Sequence, residues 1–322
     1  MTIRDYFEEW HKNRIIEVRE TTFINEGIYI HTHILPFFEK NSIVNLEDVT
    51  PSIIDKYVTI KLQEGRCDNK EGGLSVSTVR KHLSVMRMAF QKAVIKGYVL
   101  LNPTREVTVK KRATTCEGVE WADYDIEFVQ NLLNALKNDY KTCDRAVLDV
   151  YPIVAIAVFY GLRKEEVLGL KWKAIDFDKK TITICHTVTK QDKVYCSDET
   201  KTRASRRRFD LHPQAEAILR EVYKTSVPWS EYVFAREDGE PQRPDCVLRA
   251  FQRALKRQNL PQMRFHDLRH CTAIMLCELK CEPEEMREYL GHSDIETTMN
   301  IYLRFKKRRV LKADIIGGAI SI

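Results

Sequence analysis

The sequence contains no run of about 18 apolar residues, the length a helix needs to cross a bilayer. Its start, Met1-Thr2-Ile3-Arg4-Asp5, turns charged and amphipathic at once and offers no signal-peptide core. The 9 cysteines are odd in number and scattered singly, so they read as small core hydrophobes of a reducing compartment, not as a disulfide framework. Metal-ligand spacing is also missing. Cys277 and Cys281 lie four residues apart with His270 and Cys271 upstream, but no second pair follows at zinc-finger distance. Asp267 and Asp294 do not build the carboxylate cluster of a two-metal nuclease. Internal repeats and low-complexity segments are absent. With 43% hydrophobic and 30% charged residues, the composition excludes a disordered or collagen-like chain.

What is present is enough chain for two domains, since 322 residues exceed one core at about 100–200 residues per domain. The balance of 52 basic against 46 acidic residues leaves +6, so the distribution of charge matters more than its sum.

Residues 1–103 read as an all-helical unit. Thr2 is a candidate N-cap for a helix carrying Phe7 and Trp10, and Thr50-Pro51 caps another with Ile53, Ile54, Tyr57 and Ile60. After the Gly72-Gly73 break, a helix begins near Ser77. Its apolar stripe is Val79, Leu83, Met86, Phe90 and Ala93, and Asn102-Pro103 is expected to stop it. Arg80, Ser84, Arg87 and Gln91, with Lys81 beside them, line an adjacent face, either as a solvated surface or as a face laid into a DNA groove. Residues 104–117 lack periodicity, carry Arg105, Lys110, Lys111 and Arg112, and read as an extended basic linker. The second unit, about 118–322, mixes helix and strand. Val150–Tyr160 is apolar almost all round and predicts a buried helix ending at Gly161. Alternation in Thr181-Ile182-Thr183-Ile184 and on either side of Lys201 predicts a three-stranded antiparallel sheet. Helices resume at Gln214–Tyr223, Pro244–Arg257 and from His266.

Three segments concentrate side chains that handle phosphate. In Gly161-Leu162-Arg163-Lys164-Glu165-Glu166 an arginine sits where one helix ends and another begins, and its planar fork can grip two phosphodiester oxygens. Glu166, one turn on, can hold that guanidinium, although an ordinary surface pair has the same spacing. Lys201-Thr202-Arg203-Ala204-Ser205-Arg206-Arg207-Arg208 places basic residues at an expected hairpin, where a lysine can protonate a leaving oxygen. His266-Asp267-Leu268-Arg269-His270, then Gly291-His292, then Tyr302, is the most specific set. His266 and Arg269 share a helical face. Four such matches at fixed offsets arise by chance at about one in 10⁵ or less per start position.

The motifs "GLRKEE", "KTRASRRR", "HDLRH" and "YLGH…Y", in this order, resemble the tyrosine recombinase (phage integrase) family. "STVRKHLSVMRMAFQKAVIKGYVLLNP" looks like the last helix of that family's core-binding domain, so the resemblance covers essentially the whole chain. Its style is similar to integrases of phages and conjugative transposons. The resemblance implies an all-α core-binding (SAM-like) domain, 1–103, and a mixed α/β catalytic domain, 118–322, closing as a C-shaped clamp around duplex DNA. It implies a C-terminal tail, 303–322, that reaches a neighbouring subunit. Tyr302 would be the nucleophile, Arg163 and Arg269 the clamp on the non-bridging oxygens, and Lys201 the acid for the 5′-oxygen. His266 would be base or hydrogen-bond donor, His292 a further phosphate ligand, and Glu166 a support for Arg163.

The implied reaction is site-specific strand cleavage and rejoining through a 3′-phosphotyrosyl link, integrating or excising a mobile element without metal, ATP or other cofactor. Arg80, Lys81, Arg87, Lys110, Lys111 and Arg203 are the candidate DNA contacts, with Arg249 a further one. Implied partners are attachment-site DNA, a homotetramer in the synapse and an excisionase-type directionality factor, in a bacterial cytoplasm. Alternatives are a Xer-like dimer resolvase, a type IB topoisomerase or a non-catalytic DNA-binding regulator. Relatives of the lambda type usually carry an additional N-terminal arm-binding domain, whereas here Met1 opens almost directly into the first helix. A two-domain recombinase and a shortened one both fit.

Overall fold

In a computed structural model of the chain, the described residues are 1–67, 71–109, 124–142, 148–190, 194–197, 206–291, 295–296, 298–299 and 303. The chain divides into two compact units, Met1–Cys116 and Glu117–Ile322.

The described elements of the first unit are helical. α1 (Ile3–Arg14) starts where the Thr2 hydroxyl accepts the Asp5 amide, and buries Ile3, Tyr6, Phe7 and Trp10. α2 (Glu20–Ile28) runs into a π-helical stretch, Tyr29–Ile34, and then α3 (Leu35–Lys40). α4 (Pro51–Glu64) is capped by Thr50, as its Thr-Pro start predicts. α5 (Val76–Ile95) begins one residue earlier than expected, because Ser75 and not Ser77 supplies the cap oxygen to the Thr78 amide. Its predicted stripe, Val79, Leu83, Met86, Phe90 and Ala93, is buried throughout. The helix also ends earlier than Asn102-Pro103. Gly97 adopts φ +76°, and Tyr98 donates back to the Ala93 carbonyl, closing the last turn.

The start of the expected linker belongs to this unit. Val107 and Val109 are buried in its core, and residues 102–109 run along the polar face of α5. Arg80 donates to the Val109 carbonyl at 2.8 and 3.2 Å, and Arg87 to those of Thr104 and Val107 at 3.2 and 3.1 Å. Two valines in the register of a buried face dock residues 104–109 on this unit despite the basic composition that marked the stretch as a linker.

In the second unit α6 (Ile126–Thr142) packs on α7 (Tyr151–Phe159), which is apolar and enclosed as its sequence predicts. α8 (Lys164–Leu168) follows one turn later, then two small sheets. β1 (Ile175–Asp176), β2 (Thr181–Ile184) and β5 (Arg207–Asp210) form an antiparallel three-stranded sheet in the order β1-β2-β5, with Ile182 opposite both Ile175 and Phe209, and Ile184 opposite Arg207. β3 (Thr187–Lys190) and β4 (Val194–Ser197) form a separate antiparallel pair. The two strands that flank Lys201, β4 and β5, therefore lie in different sheets, which corrects the expectation that they share one. β3 and β4 are three residues apart, and so short a closure favours the local hairpin over a longer-range pairing. α9 (Pro213–Thr225), α10 (Pro244–Arg257), α11 (Asp267–Glu278) and α12 (Pro283–Leu290) follow. α7 is its hub, in contact with α6, α8, α9 and α11.

Candidate active site

The arginine motif is built on two tight turns. α7 ends at Gly161 with φ +58°, where a Cβ would stand 2.7 Å from the Leu290 side chain and 3.3 Å from that of Thr272. α12 ends at Gly291 with φ +63°. Both positions need glycine for their left-handed backbone, and the first also for close packing. The carbonyls of these two glycines receive the two arginines. Arg269 Nη1 donates to the Gly161 carbonyl at 2.6 Å, and Arg163 Nη2 to the Gly291 carbonyl at 3.2 Å.

Arg163 occupies the N-cap of α8. Its backbone amide donates to Glu166 Oε2 at 3.0 Å and its Nη1 to Oε1 at 2.7 Å, so one carboxylate fixes both main chain and guanidinium. Glu166 is 2% exposed, whereas the Arg163 side chain is 28% exposed: the carboxylate lies beneath and the arginine opens outward. Burial pushes the Glu166 carboxyl up, but Arg207 and Arg163 outweigh it and hold it below the usual carboxylate range. The Arg163–Glu166 pair is therefore no ordinary surface pair.

Arg269 is buried on α11. Burial first, and then Arg163, push its guanidinium down to about 9, which still leaves it cationic at neutral pH. Its Nη2 is buried with no hydrogen-bond partner among the described residues. An unmade hydrogen bond at a buried cationic donor costs more than a neutral one, so this atom suits an anionic acceptor such as a phosphate oxygen.

His266 caps the start of α11, one turn before Arg269, and is exposed. Desolvation, then Arg269 and Arg163, hold its imidazole below its ordinary value. It is neutral at pH 7 and can accept a proton. His270 stands against it edge-on at 5.2 Å, and burial pushes His270 down to about 4. Asp267 is ion-paired with Arg264 at 2.8 Å, and so is engaged in fixing the turn before α11.

The structure thus brings together Arg163, Glu166, His266 and Arg269. Lys201, His292 and Tyr302 lie outside the described residues, as do Lys110, Lys111, Arg203 and the tail beyond residue 303. Lys81 is exposed on α5. Arg80 and Arg87 are exposed as whole residues, but part of each guanidinium is committed to holding residues 104–109. The sequence reading missed Arg207. It is buried on β5, and its Nη2 donates to Glu166 Oε2 at 2.9 Å. Its position opposite Ile184, within the alternation of a half-buried strand, was the available signal. Among the described residues no group of three or more His, Cys, Asp or Glu is placed to hold a metal ion.

Comparison with known proteins bears on the same residues. Residues 125–309 match the profile of the "Phage integrase family", and residues 2–62 that of the "Phage integrase, N-terminal SAM-like domain". A "Tyrosine recombinase XerC-like" protein of Caldanaerobacter subterraneus subsp. tengcongensis is 28% identical over 255 residues, 71% of this chain and 63% of that protein. The match thus spans less than two thirds of that relative's length. The ICEBs1 integrase of Bacillus subtilis is 24% identical over 299 residues, covering 89% of this chain and 74% of that protein. Among solved structures, the Tn1549 transposon integrase (residues 82–397) in complex with circular intermediate DNA superposes with a TM-score of 0.77 at 18% identity, covering 99% of both chains.

Proposed function

We propose a strand-exchange mechanism for this chain, which belongs to the phage integrase family of site-specific recombinases that act on DNA. The phenol of Tyr302 attacks the scissile phosphorus, the bond to the 5′-oxygen breaks, and Lys201 delivers a proton to that oxygen. The 3′-phosphotyrosyl link keeps the phosphodiester's energy, so a 5′-hydroxyl from a partner strand reseals it without ATP. At pH 7 only about one unperturbed phenol in a thousand is ionised, so the nucleophile needs a base and a cationic surrounding. Neutral His266 is the base or hydrogen-bond partner. Arg163 and Arg269 take the negative charge that develops on the non-bridging oxygens, and His292 adds a further contact. The observation that carries the reading is Arg269 Nη2, a buried cationic donor with no acceptor among the described residues beside a second, outward-opening arginine.

Residues 1–103 serve as the core-binding domain and 118–322 as the catalytic domain, each contacting duplex DNA, with Lys110 and Lys111 as further DNA contacts. Lys81, Arg203 and the remaining donors of Arg80 and Arg87 face the DNA. Exchange of two duplexes cuts four strands and needs one tyrosine per cut, which supports a tetramer. The apolar tail residues Ile315, Ile316, Ala319 and Ile320 suit a groove of about 660 Å³ between α6, α7, α9 and α11, lined by Leu133, Tyr151, Phe159, Met275 and Leu279, on a neighbouring protomer. The biological role is integration and excision of a mobile element in a bacterial cytoplasm, with an excisionase-type factor setting direction. No helix among the described residues is long and apolar enough to cross a membrane.

A nicked suicide substrate carrying the attachment site tests the chemistry. Wild type accumulates a covalent adduct, and Tyr302→Phe abolishes it while retaining binding. An adduct that persists in Tyr302→Phe refutes the mechanism. A Xer-like dimer resolvase is the alternative reading, and it predicts recombination between two identical sites and none between unlike ones.

A further inference from the structure

Arg207 lies buried against the same carboxylate that holds Arg163. The carboxylate of Glu166 receives one arginine on each side. Oε1 accepts Arg163 Nη1 at 2.7 Å, and Oε2 accepts Arg207 Nη2 at 2.9 Å together with the Arg163 amide at 3.0 Å. Arg207 Nη1 lies 3.5 Å from Oε1, so the second fork spans the carboxylate. Exposure is graded along the row: the side chains of Glu166 and Arg207 are 2% and 5% exposed, against 28% for Arg163. The guanidinium of Arg207 also lies 5.8 Å from the ring of Phe209 on its own strand, which helps to fix its direction.

Charge explains why two arginines are needed where one would satisfy a carboxylate. A buried Glu166 paired with Arg163 alone would cancel most of the field that Arg163 can offer a phosphate, and would draw its fork inward. A second buried cation on the same carboxylate restores the balance. Arg163, Arg269, Arg207 and Glu166 together carry two net positive charges, matching the charge that a phosphoryl group develops in an associative displacement.

We infer that Arg207 is a positioning residue for strand cleavage: by sharing Glu166 it leaves the Arg163 fork aligned and undischarged toward the scissile phosphate. It does so without touching DNA. Arg207 is also the first residue of β5.

The inference rests on the recombinase reading, and the experiment separates the two. Single-turnover cleavage of the nicked suicide substrate is measured for wild type, Arg207→Met, Glu166→Gln and the double variant. DNA affinity and melting temperature are recorded alongside. Failure of wild-type protein to form any adduct would remove the recombinase reading itself. Given wild-type cleavage, Arg207→Met is expected to cleave at least tenfold more slowly with affinity within twofold. Adding Glu166→Gln to it is expected to recover at least threefold, because the harmful group is then the unbalanced carboxylate. Loss of packing alone gives no such recovery.

Cleavage by Arg207→Met within threefold of wild type overturns the inference, as does a double variant no faster than Arg207→Met. Should Arg207→Met fail to fold, the same cycle is run with Arg207→Lys, which keeps the charge but not the fork. A rate below wild type that rises on adding Glu166→Gln supports the role, and any other pattern overturns it.

Discussion

At the residue scale, the molecule handles its buried polar groups in two opposite ways. In the second unit, Glu166 is shared between two arginines and Arg269 keeps one donor without an acceptor among the described residues, an arrangement that costs stability unless an anion completes it. In the first unit one buried cluster, around His82, is held neutral, beside the paired charges of Arg14 and Glu26. His82 is fully buried on α5, its Nδ1 shares a hydrogen bond with the Tyr57 hydroxyl at 2.8 Å, and its ring packs against His33 and Tyr29 at 4.7 and 4.8 Å. Burial first, then His33 and Lys61, push His82 down to about 4. A histidine with a depressed folded value binds protons more readily when unfolded, so stability rises with pH across the interval between the two values. The melting temperature is therefore expected to fall as pH drops from about 6.5 to 4. His82→Gln, which keeps a hydrogen-bond partner for Tyr57, should flatten that slope. A profile unchanged by His82→Gln would show that the ring is not held neutral by its site.

At the element scale, the site depends on how helices end. α7 and α12 both stop on left-handed glycines, and the carbonyls of those glycines hold Arg269 and Arg163. Gly161→Ala would place a Cβ 2.7 Å from Leu290 and force the left-handed backbone on an L-residue, a cost of about 1–2 kcal/mol before any repacking. It is expected to lower the melting temperature and, by moving the carbonyl under Arg269, to slow cleavage at least tenfold. Normal cleavage by a destabilised Gly161→Ala would mean that this carbonyl does not orient the arginine.

Much at this scale was legible from the sequence: the stripe of α5, the enclosed α7 and the Thr2 and Thr50 caps all follow from periodicity and cap chemistry. What escaped depended on longer-range competition. Gly97 ends α5 before Pro103 can, residues 104–109 dock through Val107 and Val109 despite their basic neighbours, and β4 pairs with β3 instead of β5. In the site, spacing paired Arg163 with Glu166 and His266 with Arg269, and the family resemblance joined the two pairs. Arg207 was hidden because a run of three arginines reads as solvated surface, and only the strand register shows which one turns inward.

At the scale of the whole molecule, binding through phosphate contacts predicts that log affinity falls linearly with log salt, with a slope of about −0.9 per neutralised phosphate. Removing one DNA-facing lysine such as Lys81 should reduce that slope by about one, whereas Arg207→Met should leave it unchanged. Deleting residues 311–322 should spare cleavage of a single site and abolish cooperative synapsis, as gel-shift and sedimentation measurements would report. Intact synapsis after that deletion would remove the tail from the assembly. The account depends most directly on which atom becomes joined to DNA. Protease digestion of the trapped adduct, followed by mass spectrometry, should place a 3′-linked nucleotide on the phenol of Tyr302, formed in the presence of a metal chelator; a nucleotide on any other residue, or an adduct that forms only with added metal, would contradict it.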